Sequence, residues 1–182
     1  AIGTVLGAVL LGSAAAAAKT GGNTGNGTIT MDATTPILQG AFDGVYTVRF
    51  TAATAFTVEN PKGDVIGTGV TGTAFGDDVK FTIAAGGTPF VAGDGFDITV
   101  SPSTSEKLKP LSFTAVDGSQ EPAAIALAPR ANSAADQKIP VGARGLVVDP
   151  ANLIWPAGAT TAQKAAALRT LKARGIIART TL

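Results

Sequence analysis

Apolar and polar positions alternate with a period of two through the middle of the chain. Tyr46, Val48 and Phe50 alternate with Val45, Thr47 and Arg49, and Phe81 and Ile83 alternate with Lys80 and Thr82. One oily face per segment is the pattern of a half-buried antiparallel strand. Similar short runs rich in Val, Ile, Thr and Phe predict strands over 28–31, 45–51, 55–59, 64–67, 79–84 and 96–100. Turn sequences separate them: Asn60-Pro61-Lys62-Gly63, Gly76-Asp77-Asp78 and Gly93-Asp94-Gly95. Strands this short and this closely spaced point to a small sandwich or barrel.

The pattern changes towards the C-terminus. Strands are predicted over 123–128, 141–143 and 146–148, followed by a single clear helix over 161–174. Thr160 and Gln163 have the spacing of a capping box. Ala165, Ala167, Leu168 and Leu171 give the helix an apolar stripe, and Gly175 supplies a C-terminal stop. Ile176 and Ile177 then suggest a closing strand.

The aromatic residues divide the chain. Phe42, Tyr46, Phe50, Phe56, Phe75, Phe81, Phe90 and Phe96 fall in one stretch, leaving only Phe113 and Trp155 outside it. Large rings dominate small cores, so the middle is expected to have its own core. Loop-like compositions flank it, at Ser13–Gly27 and Ser101–Ser105.

With 182 residues, 45% hydrophobic and 15% charged, the chain has the material for a packed core and does not match the composition of disorder. A net charge of +1 points neither to nucleic acid nor to an anionic membrane. The sequence has no Cys and no His. Disulfides, thiol nucleophiles, thiolate metal sites and the Ser-His triad are therefore excluded, and so is the commonest general base. No enzymatic activity, cofactor or metal is expected.

Four features are candidates for chemistry. Gly67-Thr-Gly69-Val-Thr-Gly72 matches the dinucleotide-binding spacing, but its flanks are β-type and no helix follows, so a hairpin turn is the better reading. Asp77-Asp78 and Asp94-Gly-Phe-Asp97 lack the spacing of a calcium loop and read as turn formers. The 164–179 segment carries Lys164, Arg169, Lys172, Arg174 and Arg179 and no acid. It reads as a solvated helix face with favourable dipole placement, or as a surface for a negative partner. Trp155, the single Trp, suits a core or an interface anchor equally.

Ala1–Ala18 is uncharged and superficially like a leader or membrane segment. It has no basic flank, does not open on Met, and is punctuated by Gly3, Gly7 and Gly12, so an extended β-type arm is the better reading.

The segment from Ala151 through Trp155-Pro156 and the Ala-rich helix to Arg179 resembles the C-terminus of the phage-lambda-type head decoration proteins. Leu108-Lys-Pro-Leu111 and Asp117-Gly-Ser-Gln-Glu-Pro-Ala-Ala-Ile125 are similar to that family's middle, and Gly3-Thr-Val-Leu-Gly-Ala-Val-Leu10 is similar to its opening strand. Compact members run almost directly from that strand to the equivalent of Leu108. Here about eighty residues intervene, and Gly25–Thr28, Gly44–Arg49 and Val91–Val100 resemble a β-domain inserted in longer members.

The resemblance implies a mainly β (α+β) protein. A β-rich decoration domain with one C-terminal helix, residues 1–19 and 101–182, would be interrupted by an all-β sandwich or barrel-like domain at 20–100. It implies a structural role on the outer surface of the virion, binding the major capsid protein of a tailed-phage head as a homotrimer and bracing the shell, with no nucleic-acid or membrane partner. A capsid-binding arm would span about residues 1–9, through Ile2, Thr4, Val5, Leu6 and Val9, by strand addition. Leu153, Ile154, Trp155 and Pro156 are the candidates for the trimer interface. The alternative is a secreted or cell-surface adhesin-like β-protein, suggested by the apolar start and the Thr- and Gly-rich middle.

Overall fold

The fold is described from a computed structural model, over residues 1–105, 107–129 and 136–180. The chain packs into two units, Ala1–Leu10 with Ser105–Leu182, and Leu11–Thr104.

In the first unit the chain opens with β1 (Val5–Ala8), which pairs antiparallel with β10 (Leu108–Pro110) on one edge and β11 (Pro122–Ala126) on the other. The addition of β12 (Val141–Gly142) completes a sheet of order β10-β1-β11-β12. The side-chain period of two sends neighbours on β1 to opposite faces. Val5 joins a core with Leu111, Ile125, Leu153, Leu171 and Ile176, whereas Leu6 joins a smaller cluster with Ala124 and Ala126. Every residue of β11 is buried, which explains why Pro-Ala-Ala-Ile-Ala shows no alternation.

Two short strands, β13 (Leu146–Val148) and β14 (Ile176–Ala178), form a separate parallel pair. Between them in sequence lies α1 (Thr161–Ala173). Its capping box is formed in full. The Thr160 Oγ1 accepts from the Gln163 N–H at 3.2 Å, and Gln163 Oε1 accepts from the Thr160 N–H at 2.9 Å. Ala167 and Leu171 are its buried positions. Gly175, at φ +82°, takes the left-handed backbone that ends the helix at little steric cost.

The second unit holds two antiparallel sheets around one core. The larger has the order β2-β9-β4-β5-β6, from β2 (Leu11–Ala18), β9 (Gly95–Pro102), β4 (Gly44–Phe50), β5 (Ala55–Glu59) and β6 (Val65–Val70). The smaller has the order β3-β8-β7, from β3 (Thr28–Met31), β8 (Lys80–Ala84) and β7 (Ala74–Gly76). Tyr46, Val48, Phe50, Phe56, Phe81, Ile83, Phe96 and Ile98 fill the space between them. Phe50 stacks on Phe90 with ring centres 4.0 Å apart.

Two sequence expectations change here. The boundaries drawn at 19/20 and 100/101 move to 10/11 and 104/105, because Leu11–Ala18 is a strand of the second unit, paired to β9. Its run of alanines has the composition of a linker, and only the cross-strand ladder makes it a strand. Gly67–Gly72, read as a hairpin turn, instead forms most of β6 and the start of the short link to β7, which lies in the other sheet. Gly69 is there for close approach, since any side chain would strike the Phe56 ring.

Candidate functional site

The residues singled out as an assembly surface lie in the first unit, and main-chain hydrogen bonds connect them. Gly3 N–H donates to the Ala126 carbonyl at 2.9 Å, and Ile154 N–H donates to the Gly3 carbonyl at 2.9 Å. Val5 N–H donates to the Ile154 carbonyl at 3.1 Å, and Thr4 forms an isolated parallel bridge with Ile154. Val9 N–H reaches the Lys107 carbonyl at 3.0 Å, and Leu10 N–H the Asp117 carbonyl at 2.7 Å. The N-terminal segment is thus stitched into its own unit on both edges.

That placement corrects the expectation of a free arm. Val5 is 1% exposed and Leu6 6%, in the middle of a sheet. With both ladders occupied, these residues have no backbone groups left for strand addition to another chain. Thr4 and Val9 are half-buried and also bonded. Ile2 alone of the five stands well exposed. The physical reason is local: an apolar strand that finds partners in its own chain is stabilised there, and β10 and β11 provide them.

The Leu153–Pro156 group divides in the same way. Leu153 is core, while Trp155 is half-buried and packs against that core. Ile154 points out, 43% exposed, and Pro156 is half-buried. Leu127, inside the strand predicted over 123–128, instead follows the last residue of β11, Ala126, and is 44% exposed. Ile2, Leu127 and Ile154 therefore form exposed apolar positions on backbone that three hydrogen bonds tie together. No sequence signal marks Leu127, because its exposure is decided by where β11 ends, at Ala126.

A polar lock holds the turn beside the exit of β1. Asp117 accepts from Lys109 Nζ at 2.8 Å, from Ser119 Oγ at 2.6 Å and from the Ser119 N–H at 3.0 Å. Burial alone would raise this carboxyl, but the ammonium and the two Ser119 donors outweigh it and hold it down at about 2.

In the second unit the acids singled out earlier are structural. Asp94 accepts the N–H groups of Thr24, Gly25 and Val91 at 2.9, 2.9 and 3.1 Å. These bonds, the Gly25 bond foremost, lower its pKa against the opposing effect of burial. Asp97 pairs with Arg49 at 2.7 Å. Asp78 accepts from the Tyr46 hydroxyl at 3.2 Å, and burial raises both the carboxyl and the phenol, the latter to about 12. Among the described residues no group of three or more acids or other donors is placed to hold a metal ion, and no helix is long and apolar enough to cross a membrane.

A model of the bacteriophage lambda head decoration protein D family matches residues 1–176. The chain belongs to that family. The family is named for decoration of the phage head, and it is structural rather than catalytic. No curated protein matches this chain. Crystal structures of Xanthomonas campestris FlgL in two space groups show 26% and 25% identity, with a TM-score of 0.37 in each case. They align over 58% and 54% of this chain and 33% and 31% of that one, so the decoration protein spans about a third of their length.

Proposed function

We propose that this head decoration protein is a cement protein of the outer capsid surface. It binds the major capsid protein, associates as a trimer and braces the shell against internal DNA pressure. The observation that carries this reading is the family match over residues 1–176, which runs through the second unit as well as the first.

Within that reading the first unit is the part that meets the head, and the second projects outward. The pairing of β1 on both sides supports it: a contact surface built on a hydrogen-bonded sheet loses little conformational entropy on docking. The exposed Ile154, with Trp155 and Pro156 beside it, is assigned to the contact between subunits. Ile2 and Leu127 are further exposed apolar residues of the same unit. Leu153, Val5 and Leu6 serve by holding the backbone beneath it, since their side chains are buried in the unit. A trimer presents three copies of any capsid contact, and avidity makes three weak contacts a firm attachment.

The test is reconstitution. Purified protein is added to heads that lack their decoration protein, and the particles are imaged by cryo-EM and assayed for DNA release on heating. Ordered trimeric density on the outer surface and delayed release are expected. Absence of any bound protein at micromolar concentration would refute the reading.

A further inference from the structure

The two units carry opposite charge. The first holds ten Lys or Arg against five Asp or Glu, a formal charge of +5. The second holds four against eight, a formal charge of −4. The near-neutral total therefore hides a basic unit, and its basic residues are not spread evenly. After Asp149 the sequence contains no acid at all, while Lys164, Arg169, Lys172, Arg174 and Arg179 follow.

Three of these cations surround a shallow groove between α1 and β14, with a volume of about 360 Å³. Its walls are Leu168, Arg169 and Lys172 from the helix and Ile177, Ala178 and Arg179 from the strand side. The apolar members are half-buried and form the floor, and the three cations are exposed and form the rim. None of the three has an ion-pair partner among the described residues, whereas Lys107 and Lys109 of the same unit are paired with Asp136 and Asp117. Among the described residues the strand has a ladder on one side only, to β13.

We propose that this groove is the seat of an acidic, extended segment of the capsid protein, an apolar side chain resting on Leu168 and Ile177 and flanking carboxylates meeting Arg169, Lys172 and Arg179. The assignment rests on the decoration reading and names the chemistry of the capsid surface that reading requires. Charge complementarity selects the carboxylates, and the volume, at the lower end of ligand-sized pockets, suits one or two side chains. Nucleic acid fits less well. The groove has no aromatic ring on which to stack a base, and a phosphodiester strand would leave the apolar floor uncovered.

The test uses the full chain and heads lacking their decoration protein. Arg169→Glu/Lys172→Glu reverses the net charge of the rim, and Arg169→Gln/Lys172→Gln removes two of its three charges while keeping helix-forming residues. Both replaced positions are exposed, so wild-type melting temperatures are expected, and the Gln pair serves if the reversed one fails to fold. Head binding should fall at least tenfold in the reversed variant and less in the Gln pair. Wild-type binding should weaken as salt rises, and the variants should respond less. Zero-length carbodiimide cross-linking of wild-type protein on heads should join Lys172 to an Asp or Glu of the capsid protein. Folded variants that bind heads like the wild type would overturn the groove assignment and leave the decoration reading standing. Wild-type protein that does not bind heads would overturn both. Cross-links only to acids of a second copy, or retention of labelled duplex DNA that the variants lose, would also overturn it in favour of those partners.

Discussion

Ile154 donates its backbone N–H to the carbonyl of Gly3 at 2.9 Å, so the residue that precedes the single Trp is held by the third residue of the chain. The contact makes the N-terminal segment a structural strand of its unit. Removing residues 1–9 deletes the strand between β10 and β11 and withdraws Val5 and Leu6 from two clusters. Burial of those two side chains contributes about 1.5–3 kcal/mol each, and the lost ladders add to it. The sum approaches the whole stability of a small unit. The truncated chain should lose the cooperative melting transition of the first unit while that of Leu11–Thr104 persists. Calorimetry would show this, and two unchanged transitions would count against it.

The sequence made the strands of the second unit legible where side chains alternate, as in β4 and β8, and the helix where capping chemistry is explicit, at Thr160 and Gln163. It concealed structure made by distant partners. Leu11–Ala18 has no alternation and no β-branched residue, yet pairs with β9 over six registered positions. Its strand character comes from β9, not from its own propensity. The apolar Val5 and Leu6 looked available for another chain because a sequence cannot show that both edges are already filled. The candidate surface was half legible for the same reason. Trp155 and Ile154 were found by residue type, but which faced inward was decided by Leu171, Ile176 and Gly3, all far away in sequence or on other elements.

Ile154 and Trp155 separate assembly from folding. Ile154→Asp places a charge on a side chain that is 43% exposed, so the isolated fold should tolerate it, with a melting temperature within a few degrees of wild type. Its trimer should dissociate at concentrations where the wild type stays associated. Trp155→Ala removes a half-buried ring packed on the core and should destabilise the first unit by about 2 kcal/mol, below the usual range for a fully buried Trp. Sedimentation and thermal unfolding on the same samples read the two effects apart. An Ile154→Asp protein that sediments as wild type would remove this residue from the interface.

Asp117 gives the first unit a pH signature. Its carboxyl is held at about 2 by Lys109 and Ser119 against the cost of burial. A lowered acid stabilises the folded state once the unfolded carboxyl, near 3.9, is ionised. That contribution is fully present above pH 4 to 5 and is lost as pH falls through the folded value. Asp117→Asn should remove about 1 kcal/mol at pH 7, a modest figure because the Lys109 side chain is half exposed and the pair is screened. The stability difference between variant and wild type should close as pH approaches 2. Urea titrations at pH 7, 4 and 2.5 would measure it, and a constant difference across that range would mean that the carboxylate charge is irrelevant.

The second unit should be removable, and the structure says where to cut. The sequence boundary at about residue 20 would be a poor site. Excision of residues 21–100 would take most of β9 away and leave β2 as an unpaired strand with exposed backbone groups. The better cut follows the ladders. Ala8 lies opposite Leu108 in an antiparallel pair, where Cα atoms stand about 4.5–5.5 Å apart, and Val9 N–H still reaches the Lys107 carbonyl. A bridge of about four Gly and Ser residues from Leu10 to Ser105 can therefore close β1 and β10 as a hairpin, with little loop entropy to overcome. Every member of the first unit's two clusters is retained, so the shortened protein should fold with the stability of the intact first unit. The excised segment keeps Tyr46, Phe50, Phe56, Phe81 and Ile98 in one core, and it should fold alone as residues 11–104. Under the outward-projecting assignment the shortened protein should bind heads with the affinity of the full chain and show less density above the shell in cryo-EM. If it folds, forms trimers and yet fails to bind, the second unit itself contacts the capsid, and its net negative charge would then have to meet a basic patch on the shell.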